Sequence, residues 1–131
     1  MSDDELFQKW ISLARDDLKM AEFALSQSLW LPCAFQVQQC IEKSLKGVIV
    51  RSGSEDPPYT HDLTRLLDIA VTSCQVLEPY RKTFASINPF YIRARYPNYK
   101  EKVSAVLNNE VLKSYLKIAN EVIACCETKK A

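Results

Sequence analysis

The sequence predicts an all-α protein, an antiparallel four- to five-helix up-and-down bundle, and three observations carry that prediction. Apolar residues recur at three- and four-residue spacing over most of the chain. Only two glycines, Gly47 and Gly53, occur among 131 residues, which argues against hairpin-rich β architecture and leaves no Gly-rich phosphate loop. The breaks between periodic runs are brief, which favours antiparallel neighbours. The length suits one domain over 1–131, with no internal repeat.

The first predicted helix covers 4–27, with Leu6, Trp10, Leu13, Ala14, Asp17, Leu18, Ala21 and Leu25 on one face. A second runs from about Pro32 to Arg51, since proline suits a first turn whose N–H is not needed. Its stripe is Phe35, Gln38, Ile41, Glu42, Leu45, Val48 and Ile49, so two polar residues interrupt an apolar face. Residues 52–60, "SGSEDPPYT", read as a loop. Thr60 can cap a third helix, about 61–76, that turns Leu63, Leu66, Leu67, Ala70 and Cys74 inward. A fourth covers about 78–88, with Leu77, Tyr80, Phe84 and Ile87 on its stripe. Asn88-Pro89 and Tyr96-Pro97 then disfavour a continuous helix. Asn108 or Asn109 caps the last helix, to about Glu127, with Val111, Leu112, Tyr115, Leu116, Ala119, Val122 and Ile123 inward.

Charge and composition narrow the function. The net charge is +1, so any nucleic-acid binding must come from a local patch. No run approaches the roughly 20 apolar residues of a membrane span. The start, "MSDDELFQKW", is acidic where a secretory leader is basic, so a cytoplasmic protein that needs no membrane is expected. Five cysteines without a Cys-x-x-Cys, beside a single histidine, make a zinc site an unsuitable reading, and no cofactor is implied. Cys33, Cys40 and Cys74 fall within apolar patterns as reduced core residues.

The one unusual stretch is "YIRARYPNY", residues 91–99. Arg93 and Arg95 offer planar forks for phosphate oxygens, and Tyr91, Tyr96 and Tyr99 offer faces on which bases stack. With Lys100 and Lys102 against Glu101, the local charge is +3. The alternative is that Tyr91 and Tyr96 pack in the end of the bundle while the arginines pair with Asp17 or Glu42. Glu42 itself has two readings: an i,i+4 pair with Lys46, worth about 0.3–0.5 kcal/mol, or a polar pocket beside Arg95. His61, in "THDL", reads as a hydrogen-bonding residue at a helix start rather than a base.

Taken in order, "ARDDLKMAEFAL" (14–25), "CAFQVQQCIEKSLKGVIV" (33–50), "HDL" (61–63) and "INPFYIRARYP" (87–97) resemble the HEPN domain. The resemblance extends from about Leu13 to the last helix. It implies a dimer-forming four- or five-helix bundle, and for many members a minimal nucleotidyltransferase as partner in a toxin–antitoxin pair. Other members are metal-independent ribonucleases that share an Arg followed four to six residues later by His. Here Arg93 or Arg95 could stand for the Arg, but 97–101 reads Pro-Asn-Tyr-Lys-Glu and no His follows. The expectation is therefore a homodimer that binds nucleotide or RNA through Arg93, Arg95, Tyr91, Tyr96, Tyr99, Glu42 and Lys46. A non-enzymatic docking module and a ribonuclease, degenerate or active, are the alternatives.

Overall fold

A computed structural model describes residues 1–53, 56–93, 96 and 106–128, without the side chain of Arg93. Among these the chain is helical and forms no strand. Helix α1 (Asp3–Ser26) starts in a capping box: Ser2 Oγ accepts from the Glu5 N–H at 3.1 Å, and Glu5 reaches back to the Ser2 N–H. Asp3, Asp4 and Glu5 place negative charge at the positive end of the helix. A tight turn through Ser28, at φ 57°, reverses the chain into α2 (Trp30–Arg51).

Helix α2 is the centre of the fold and packs against α1 and every later helix. It is buried on nearly all sides, Cys33, Val37, Ile41, Leu45 and Val48 included. Gly47 lets α1 come close: a Cβ there would lie 3.1 Å from Trp10 Cβ and 3.3 Å from Phe7 Cδ1. The buried face of α1 is Phe7, Ile11, Ala14, Asp17, Leu18, Ala21 and Ala24. That corrects the expected stripe at its edges, since Leu13 is 46% exposed. Apolar residues ring much of this helix, and the close approach at Gly47 selects the side that carries Phe7.

Helix α3 (Leu63–Ala70) is shorter than expected and is capped by Asp62, not Thr60. Asp62 Oδ1 accepts from the Thr64 N–H at 3.0 Å, while Thr60 Oγ1 accepts from the Asp62 N–H. Beyond Ala70 the chain passes into turns, in which the Ile69 and Ala70 carbonyls accept from both the N–H and the hydroxyl groups of Thr72 and Ser73 respectively. Leu63, Leu66, Leu67, Ala70 and Cys74 are all buried, as their spacing predicts.

A 3-10 segment, Gln75–Tyr80, carries Pro79 and delays α4 to Arg81–Ile87. Leu77, Phe84 and Ile87 face the core. After Asn88-Pro89 the chain does not stay irregular: α5 (Phe90–Arg93) forms one further turn, with Pro89 just ahead of it where its missing N–H does no harm. Helix α6 (Asn109–Thr128) is capped by Asn108, whose Oδ1 accepts from the Val111 N–H at 2.9 Å. Asn109 Oδ1 accepts from Trp30 Nε1 and Arg51 donates to the Cys126 carbonyl, so α6 runs alongside α2 and antiparallel to α1. Cys33, Cys40, Cys74 and Cys126 are buried and Cys125 is half-buried, and burial pushes the Cys33 thiol up to about 11 and Cys40 up to about 12. No helix among the described residues is long and apolar enough to cross a membrane, and none of those residues forms a cluster that could hold a metal ion.

Candidate functional site

The polar residues that interrupt the α2 stripe come together at the middle of α2, beside the start of α3. Glu42 is 4% exposed, and a carboxylate so placed costs several kcal/mol, order of magnitude, unless it is partnered. Here every neighbour is a donor. Lys46 Nζ lies 3.0 Å from Oε2, and His61 Nδ1 lies 2.9 Å from Oε1. The side-chain amides of Gln38 and Gln39 approach Oε1 at 3.3 and 3.4 Å. Gln38, fully buried, also donates to the His61 carbonyl at 2.9 Å and accepts from Gln39 at 2.7 Å.

His61 reaches this cluster because of a clip between two helix starts. Asp62 Oδ1 accepts from Asn88 Nδ2, and Asn88 Oδ1 accepts from the Leu63 N–H, both at 2.9 Å. The clip ties the beginning of α3 to the segment entering α5. The residues just outside it, His61 and Tyr91, are thereby laid face to face, with ring centroids 3.8 Å apart and planes 18° from parallel. The capping hydrogen bonds from Thr64 hold the Asp62 carboxyl below its ordinary range, so the clip carries negative charge at neutral pH.

A second acidic residue of the inner face, Asp17, pairs with Lys43 of α2 at 2.7 Å. Burial outweighs this pair and raises the Asp17 carboxyl above its ordinary value, with Asp16 and Glu42 adding to the rise.

Of the residues expected at the site, Glu42, Lys46 and Tyr91 come together around His61. Lys46 is committed to Glu42, with its ammonium also 6.0 Å from the Trp10 ring centroid. The i,i+4 pairing expected of Glu42 and Lys46 is present, and it sits in a buried cluster rather than on a solvated face. Tyr96 is 54% exposed. Arg95, Tyr99 and the side chain of Arg93 lie outside the described residues. Sequence reasoning passed over His61 as a member of the site and did not single out Lys43. The signal for His61 was its place immediately before a capping Asp, which fixes its backbone; its neighbours come from α2 and α5 and could not be read locally.

The HEPN domain family model matches residues 7–129. In structure the chain is similar to TT1696 from Thermus thermophilus, with a TM-score of 0.81 and 23% identity, over 95% of this chain and 98% of that one. At that identity the likeness shows a shared fold. No curated protein matches the sequence.

Proposed function

Because the chain belongs to the HEPN family, we propose that it binds nucleotide or RNA where the middle of α2 meets α5 and the start of α3. The observation that carries this reading is the His61–Tyr91 stack, held beside the buried Glu42–Lys46 pair and leading directly into the Arg- and Tyr-rich segment. Aromatic faces stack on bases without regard to sequence, and the local +3 charge attracts phosphate. In this reading Arg93, Arg95, Tyr96 and Tyr99 complete the surface begun by Tyr91. The protein works as a homodimer and as partner of a nucleotidyltransferase in a toxin–antitoxin-like pair, a pairing that rests on the family alone.

Fluorescence anisotropy with an unstructured RNA oligonucleotide and with a labelled adenine nucleotide tests the binding. Arg95→Ala should weaken it while circular dichroism and dimer mass stay unchanged. Absence of binding to either ligand in the parent protein ends the proposal, and unfolding of Arg95→Ala makes that arginine a structural counter-ion instead. An adjacent gene for a small nucleotidyltransferase, and co-purification of its product, tests the pairing.

A second reading, a docking module without a ligand, is favoured by one feature. Leu13, Met20 and Phe23 form an exposed apolar stripe along the outer side of α1. A homodimer that covers it should bury roughly 1,200–2,000 Å² in total. Light scattering at tens of micromolar protein that finds only a monomer counts against the homodimer.

A further inference from the structure

We propose that Tyr59 is a second base-stacking position beside the His61–Tyr91 pair, so that the ligand is a single-stranded stretch of at least two nucleotides rather than a mononucleotide. This deepens the binding reading above and rests on it.

Tyr59 stands wholly in solvent, at 106% exposed, and no other large apolar or aromatic side chain among the described residues comes near that value. The loop between α2 and α3 holds it there. Pro57 and Pro58 restrict the backbone just before it. The Thr60 N–H donates to the Pro58 carbonyl at 2.9 Å, closing a three-residue turn with Tyr59 at its tip. Thr60 Oγ1 in turn accepts from the Asp62 N–H at 3.1 Å, and the clip ties Asp62 to Asn88. Tyr59 is therefore carried on the same support as His61, two residues on. Two residues of extended chain span at most about 7 Å, so a base on Tyr59 and a base against the His61–Tyr91 pair can belong to neighbouring nucleotides. A tyrosine side chain has two torsions to fix and loses little entropy on binding, and a stiff loop lowers the ordering cost further.

The surroundings favour a base over a protein partner. An aromatic anchor in a protein interface is ringed by neighbours that exclude water. Apart from its prolines, the loop 52–60 offers Tyr59 only Ser, Gly, Glu, Asp and Thr. A base needs a π-face alone. Charge adds a direction. Asp56 and Asp62 flank Tyr59 and repel phosphate, while Arg93, Arg95, Lys100 and Lys102 come at and after the end of α5 in sequence and attract it. The sugar-phosphate backbone then runs on the basic side and turns its bases toward the rings.

The test uses the full chain, a labelled unstructured RNA oligonucleotide and a labelled adenine nucleotide, read by fluorescence anisotropy. The parent should bind the oligonucleotide more tightly than the mononucleotide. Tyr59→Ala should bind the oligonucleotide about tenfold more weakly, within what one base stacked on an aromatic ring contributes, and should treat the mononucleotide as the parent does. Tyr59→Trp should bind the oligonucleotide at least as tightly as the parent, since a stacking position accepts any flat ring. The exposed ring makes both substitutions safe for the fold, and circular dichroism should show the parent's helical content. Oligonucleotide binding by Tyr59→Ala at the parent affinity overturns this inference and leaves the binding reading intact. A parent that binds the mononucleotide but not the oligonucleotide does the same. An equal loss for both ligands, or no recovery in Tyr59→Trp, also overturns the second position. A parent that binds neither ligand overturns both the inference and the reading beneath it.

Discussion

The rings of His61 and Tyr91 stack with centroids 3.8 Å apart, although one precedes α3 and the other belongs to α5. The contact joins two elements that the sequence keeps apart, and it does so at the edge of a buried charged cluster. Stacked aromatic pairs are worth about 0.5–1.5 kcal/mol beyond area burial. Tyr91→Ala should therefore lower stability to urea by about 1 kcal/mol and weaken RNA binding. Equal binding by Tyr91→Ala and the parent in anisotropy would remove Tyr91 from the surface.

Removing Glu42 should be far more damaging than an i,i+4 pair implies. Its loss strands the Lys46 ammonium, 12% exposed at the side chain, and the donors of Gln38 and His61. Breaking such a buried pair from one side costs about 3–5 kcal/mol. Glu42→Ala should shift the urea midpoint by that order with an unchanged slope; a shift below about 1 kcal/mol would mean that the cluster behaves as a surface pair.

Asp62 should link stability to acid. Its folded carboxyl is held below the ordinary value by the Thr64 hydrogen bonds, with Asn88 adding to the effect. A lowered folded value contributes stability above the unfolded carboxylate range, and the contribution is lost as pH falls through the folded value. Asp62→Ala should cost about 1 kcal/mol near neutrality, the usual worth of an N-cap. The difference from the parent should shrink in acid, as thermal melts at several pH values would show.

Asp17 should behave in the opposite sense. Burial raises its folded carboxyl, so its favourable contribution is present below the unfolded value and is lost as pH rises through the folded one. At neutral pH the ionised group is then a net cost despite Lys43. Asp17→Asn, which imitates the protonated form, should melt higher than the parent at pH 7, and the gain should vanish in acid. A lower melting temperature at pH 7 would make the Lys43 pair the dominant effect.

Gly47→Ala sets two effects against each other. Alanine favours a helix interior by about 1 kcal/mol, but its Cβ would meet Trp10 Cβ at 3.1 Å and Phe7 Cδ1 at 3.3 Å. Trp10 Cβ is bound to the α1 backbone and can retreat only if the helix does. Overpacking of this kind costs about 1–3 kcal/mol, so the variant should be less stable by denaturant melt. A more stable variant would mean that α1 yields without cost.

The sequence by itself determined the long helices, the family resemblance and most of the core, because the three-four spacing of apolar residues and the cap at Asn108 are local properties that survive any packing. It also marked Gln38 and Glu42 as polar breaks in an apolar stripe. Tertiary structure decided the edges of the buried face of α1: Ala14, Asp17, Leu18 and Ala21 lie where their spacing puts them, while Phe7 is buried and Leu13 exposed because α1 approaches α2 at Gly47. Above all, it chose the partners of Glu42. The Lys46 contact is one helical turn away and could be read from spacing, whereas the His61 contact depends on where a cap and a clip between Asp62 and Asn88 hold the chain, and long-range placement of that kind has no local signature.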